Sequence, residues 1–94
     1  MAHILVRQNV EDYAKWKAAF DGDAGVREPA GCKGGHVFQN ANDPNEVTII
    51  LEWDTMENLQ QFSQSDELKE RMKRGGPTGP PDVYILNFAY SPSA

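Results

Sequence analysis

The sequence predicts an α+β fold of order β-α-β-β-α-β, one antiparallel sheet with two helical crossovers. Three observations predict it. Runs of β-branched and other apolar residues open, centre and close the chain. Two stretches with apolar residues at helical spacing lie between those runs. A turn rich in Asn, Asp and Pro joins the two middle runs directly, which makes them a hairpin. This is the split βαβ, or ferredoxin-like, unit. At 94 residues the chain has the length of one domain, so residues 1–94 read as a single ferredoxin-like unit.

The elements follow in order. Ala2 to Gln8, with Ile4, Leu5 and Val6, is the first strand. Asn9 reads as a helix N-cap with Asp12 three residues on, an approximate capping box. Tyr13, Trp16 and Phe20 stand at helical spacing, and the helix is expected to continue to Glu28 with an interruption near Gly22 and Gly25. Pro29 to Gly35, with one proline and three glycines, reads as loop. Gly35 to Gln39 and Val47 to Trp53 are the hairpin strands, and Asn40 to Glu46 is their turn. Asp54 and Glu57 make a capping pair for a second helix with the stripe Met56, Leu59 and Phe62. Ser65 reads as a fresh N-cap. Acidic Asp66 and Glu67 come first, basic Lys69, Arg71, Lys73 and Arg74 last, and Leu68 and Met72 form the apolar face. Gly75-Gly76-Pro77 stops that helix, and Val83 to Tyr90 is the last strand.

Charge and cysteine content narrow the function. Nine basic and fourteen acidic residues give a net charge of -5, and the mean hydropathy is -0.61. An acidic chain is a poor phosphate binder, so neither nucleic acid nor an anionic membrane surface is an expected partner. One cysteine, Cys32, excludes an intrachain disulfide and points to a reducing, cytoplasmic setting. No stretch has the ~18 apolar residues of a membrane span. A Gly-x-Gly-x-x-Gly loop after a strand is absent; Gly34-Gly35 and Gly75-Gly76 read as turn and helix-stop residues, so no bound cofactor is expected.

The last strand carries apolar residues on both faces. Val83, Ile85 and Ala89 alternate with Tyr84, Leu86, Phe88 and Tyr90. The strand from Val47 does so in part, with Val47, Ile49, Leu51 and Trp53 opposite Thr48, Ile50 and Glu52. One layer of helices covers one face only, so a partner is expected on the other. A second copy, sheet against sheet around a two-fold axis, is the economical one.

With these elements placed, the chain resembles the antibiotic-biosynthesis-monooxygenase type of dimeric α/β barrel. The resemblance rests on the element order, on Glu52-Trp53-Asp54, and on Phe62 followed by Ser65-Asp66-Glu67-Leu68-Lys69. Val10 to Lys17, Asp43-Pro44-Asn45-Glu46-Val47 and Pro81-Asp82-Val83-Tyr84 are similar to small members labelled cyclase or monooxygenase. The resemblance implies a homodimer and one of several chemistries: cofactor-free oxygenation of aromatic polyketides, polyketide cyclisation, haem degradation, isomerisation or small-molecule sensing. It implies that Trp53 lines a pocket, and that Asn9 stands near a pocket group of the haem-degrading members. Those members carry a ligand histidine on the helix after the Trp. Here Asp66 to Arg74 contains none, with Met72 and Lys73 at the place in question.

Among titratable residues, His36 suits proton transfer near neutral pH; the plain reading is a strand or dimer-seam histidine. Tyr84 and Tyr13 can donate to a developing oxyanion, or simply satisfy their hydroxyls. Trp16, Trp53, Phe20, Phe38 and Phe62 can wall a flat apolar cavity or fill an ordinary core. Arg7 reads as a binder of a substrate carboxylate or as a rim salt bridge. Glu52 and Asp54 read as an acid–base or metal pair, or, for Asp54, as a helix cap; no metal is expected. The resulting expectation is a homodimeric enzyme taking a hydrophobic aromatic or polyketide-like molecule. Trp53, Trp16, Tyr13, Phe38 and Phe62 shape its pocket, His36 is the base, and Tyr84 or Asn9 polarises a carbonyl. A non-catalytic binding or sensor module is the alternative.

Overall fold

The computed structural model describes residues 2–66, 68–70 and 78–94. The elements are β1 (Ala2–Asn9), α1 (Tyr13–Gly22), α2 (Ala24–Ala30), β2 (Cys32–Asn40), β3 (Asp43–Trp53), α3 (Met56–Ser63) and β4 (Asp82–Asn87). The strands form one antiparallel sheet in the order β2-β3-β1-β4. This is the expected ferredoxin-like arrangement. Residues 66 and 68–70 are helical, and Ser65 Oγ accepts from the Leu68 N–H at 3.2 Å, as a cap would. The expected roles of Glu67, Arg71, Met72, Lys73, Arg74 and Gly75-Gly76-Pro77 lie outside the described residues.

Several boundaries differ from expectation for local reasons. Asn9 stays in β1, paired with Glu46, and Asp12 caps α1 instead, its carboxylate accepting from the Lys15 N–H at 3.3 Å. Asp23 closes α1 and opens α2, so the interruption falls one residue after Gly22. The second part runs through Pro29, which the loop reading excluded, and ends at Gly31. Gly31 adopts φ 117, and a Cβ there would collide with the Asp54 carboxylate. The turn between β2 and β3 is only Ala41 and Asn42. Pairing passes from Gln39↔Val47 to Asn40↔Asp43, so an irregularity absorbs Pro44, Asn45 and Glu46. Such a site tolerates a proline, which cannot donate to the ladder. Thr55 rather than Asp54 caps α3, accepting from the Asn58 N–H at 3.1 Å. β4 stops at Asn87, short of Tyr90.

The helices pack on one face of the sheet. Ala2 and Ile4 of β1, with Val47, Ile49, Leu51 and Trp53 of β3, form the buried centre together with Val10, Trp16 and Leu59. Leu59 is fully buried, an effect worth about 1.5–3 kcal/mol for a side chain of its kind. The opposite face follows from register: Leu5 stands between Ile50 and Tyr84, and His36 pairs with Ile50. No described helix covers it, and Phe38, Tyr84 and Leu86 are exposed there.

Candidate active-site cavity

Between the helices and the sheet lies a cavity of about 320 Å³, within the range of ligand pockets. Its floor is the helix-facing row of the strands, Ile4 and Val6 with Ile49, Leu51 and Val83. One wall is α1, through Trp16, Ala19 and Phe20. The α2 helix adds Val26 and Arg27, and Phe62, Leu68 and Lys69 come from the far side. Trp16 and Phe20 stack at 4.9 Å between ring centroids, 21° apart, and Tyr13 stands behind Trp16 at 5.9 Å. The wall is thus a broad aromatic surface, held rigid by helical spacing.

Gln8 and Arg27 are among the polar groups that interrupt this apolar lining. Gln8 continues the row Ile4, Val6 to the end of β1, so its side chain faces the helices. It is 5% exposed, and its Oε1 is buried without a hydrogen-bond partner among the described residues. Buried acceptors are almost always satisfied, so an orphan at a cavity wall marks a place where a ligand or water binds. Arg27 lies along the other wall. Its Nη1 donates to the Phe20 carbonyl at 2.7 Å, and its guanidinium sits 3.8 Å from the Phe20 ring centroid. Burial pulls its pKa below the usual guanidinium value, partly opposed by Cys32 and Asp23 nearby. Asp23 supplies the carboxylate among the described lining residues.

The sequence-derived candidates separate between the two faces. Trp16 and Phe62 line the cavity, with Tyr13 stacked behind Trp16. Trp53 is fully buried. Its Nε1 donates to the Ala30 carbonyl at 2.9 Å, and its ring packs on Phe62 at 4.7 Å, so it backs the cavity wall without lining it. His36, Phe38 and Tyr84 lie on the uncovered face. There His36, His3, Lys33 and Glu52 border a shallow depression. Asn9 is exposed at the end of β1, where its carbonyl accepts from the Thr78 N–H at 2.9 Å. Arg7 pairs with Glu46, and with Asp82 at 3.3 Å. The Asp54 carboxylate accepts from the Thr55 N–H and from Asn58 Nδ2. Gln8 and Arg27 were missed. Gln8 had a signal, a polar residue in phase with Ile4 and Val6. Arg27 had only its seven-residue spacing from Phe20.

The chain thus combines a ferredoxin-like sheet with an aromatic-walled cavity beneath its helices. The chain matches the antibiotic biosynthesis monooxygenase family over residues 2–74, and it belongs to that family. No curated protein is a significant sequence match. Among solved structures it is similar to SnoaB from Streptomyces nogalater, a cofactor-independent oxygenase. The TM-score is 0.79 at 10% identity, covering 99% of this chain and 97% of that one. A Bordetella bronchiseptica protein classed with the antibiotic biosynthesis monooxygenases superposes with TM-score 0.78 at 21% identity, over 95% of this chain and 97% of that one. Rv0793 from Mycobacterium tuberculosis superposes with TM-score 0.72 at 15% identity, over 98% of both chains. At these identities the likeness is one of fold. No helix among the described residues is long and apolar enough to cross a membrane.

Proposed function

We propose that this protein is a small homodimeric enzyme that oxygenates a flat, aromatic or polyketide-like molecule without a bound cofactor. The observation that carries the reading is the aromatic-walled cavity with an orphaned acceptor, Gln8 Oε1, in its lining. Trp16, Phe20 and Phe62 offer ring faces to a planar molecule. Gln8 Oε1 accepts a substrate hydroxyl and fixes its orientation. The Arg27 cation, in a wall of low dielectric, favours the ionised form of an activated phenol or anthrone. Asp23 is the proton acceptor. The carbanion then passes an electron to O2, and the two radicals combine as a peroxide. Loss of water leaves a quinone, one oxygen atom entering the product and the other leaving as water.

The second copy covers the opposite sheet face through Leu5, Ile50, Tyr84 and Leu86, placing His36 and Tyr84 in the subunit seam. Oxygen uptake with 1-naphthol tests the chemistry. Uptake above the uncatalysed rate, with one O2 consumed per naphthoquinone formed, supports it. Binding without uptake turns the reading to a non-catalytic binding module, and absence of binding overturns the cavity as the site.

A further inference from the structure

Gln8 and Arg27 stand toward opposite ends of the cavity. Gln8 pairs with Val47, and Leu51 lies four residues further along β3, about 13 Å away at 3.3 Å per residue. Leu51 and Arg27 both line the cavity and also the groove beyond it, beside Cys32 and Gly35. An apolar space therefore carries a buried unpaired acceptor toward one end and a half-buried cation toward the other.

The two groups differ in what they need. Gln8 Oε1 needs a donor. Arg27 donates to a carbonyl and lies on a ring, and among the described residues it takes part in none of the ion pairs. A guanidinium has five N–H donors in a planar fork, and the Phe20 carbonyl uses one of them. The geometry that satisfies such a fork is a carboxylate. Size limits the rest. A cavity of about 150 Å³ holds benzene, so about 320 Å³ suits a ligand of roughly two fused rings.

We infer that the cavity selects a two-ring aromatic carboxylate bearing a hydroxyl at its far end, with the carboxylate on the Arg27 guanidinium and the hydroxyl donating to Gln8 Oε1. This rests on the reading of the cavity as the ligand site. It deepens that reading by making Arg27 the residue that sets specificity.

The test is equilibrium binding of three probes to the full chain, followed by tryptophan fluorescence and by calorimetry. The probes are a hydroxynaphthoic acid with its polar groups on opposite rings, naphthol, and unsubstituted naphthoic acid. The wild type is expected to bind the hydroxy acid at least about tenfold more tightly than naphthol, the scale of one charge-assisted hydrogen bond. Arg27→Gln is expected to abolish that preference, read as the ratio of hydroxy-acid to naphthol affinity within the variant. Gln8→Leu brings the hydroxy acid down to the affinity of naphthoic acid. A merely structural Arg27, stapling the Phe20 carbonyl, would weaken all three probes alike, so the ratio is the deciding quantity. Arg27→Lys keeps the charge and restores part of the preference, which guards against a variant that fails to fold. Equal wild-type binding of naphthol and the hydroxy acid overturns the carboxylate inference and leaves the cavity reading standing. Binding of none of the three overturns both.

Discussion

On the helix-covered face of the sheet, Ile4, Val47, Ile49, Leu51 and Trp53 are at most 8% exposed. On the other face, Phe38 is 53%, Tyr84 56% and Leu86 39% exposed, although these side chains are as apolar. The buried set lies on the central strands β1 and β3 and the exposed set on the edge strands β2 and β4, where even the helix-facing Val83 and Ile85 are exposed. Apolar character therefore does not separate them; the reach of the helices does. Strand alternation says which residues share a face, and only the layer packed on that face says whether it is core. The covered face also holds the cavity, because α1, α2 and the segment after α3 stand off the sheet around Gln8 and Arg27. The open face is continuous and shallow, suited to a flat partner.

Paired truncations test this contrast most severely. Trp53→Ala is expected to cost about 3–5 kcal/mol, a large share of a small domain's stability. It removes a fully buried ring and orphans the Ala30 carbonyl. Denaturant unfolding should show the loss at every protein concentration. Tyr84→Ala should instead give a loss that vanishes on dilution, because the proposed dimer places Tyr84 against the second copy. Concentration-independent loss in both would erase the contrast.

The proposed dimer is the subject of the next largest effect. Leu86→Lys with Tyr84→Lys places two cations at the centre of the open face. The expected result is dissociation, with the dimer weakened about thirtyfold or more and the protomer still folded. Sedimentation velocity and far-UV circular dichroism read the two quantities separately. An unaltered dimer would place the interface elsewhere.

How much of this was legible depended on how local the cause was. The element order and the hairpin were readable, because β-branched runs and one Asn-Asp-Pro turn act over a few residues. The α1 cap was misread because Asn9 and Asp12 are both good caps, and pairing of Asn9 with Glu46, far away in sequence, decides between them. Pro29 reads as a helix breaker, yet α2 ends two residues later at Gly31 and loses little by including it. The face of His36 depends on pairing across Gly35, where a Cβ would collide with the Ile50 backbone. A register irregularity between Cys32 and Gly34 precedes it, and no sequence period reveals that. Gln8 is legible in phase with Ile4 and Val6, but an uncharged amide carries no titratable signal in the sequence. Arg27 was not, since its place on the wall depends on the break at Asp23.

Helix capping gives a smaller effect, confined to the covered side. Thr55→Ala removes the oxygen that accepts from the Asn58 N–H and is expected to cost about 1 kcal/mol. The α3 helix carries Leu59 into the core, so the loss belongs to the protomer. It should be the same in the wild-type background and in the lysine double variant. A cost seen only in the dimer would mean that α3 is ordered by the second copy.

Arg7 offers the smallest effect and the finest discrimination, because it lies on the open face between Glu46 and Asp82. Those carboxylates, Glu46 foremost, hold its pKa above the usual guanidinium value. A cation whose folded pKa is raised contributes fully below its unfolded pKa, and loses that contribution only as pH rises through the higher folded value. The guanidinium's contribution is therefore constant through the neutral range. Its size depends on solvent. On an exposed face, screening and side-chain entropy leave such pairs with little net effect. Against a second sheet, water is excluded and truncating one partner leaves charges buried without compensation. Arg7→Gln should accordingly leave the stability of the monomeric lysine variant unchanged within error. In the wild type it should weaken the dimer several-fold by sedimentation. A cost that is larger in the monomer would assign the Arg7 cluster to the strand ladder of the protomer, and would remove it from the interface.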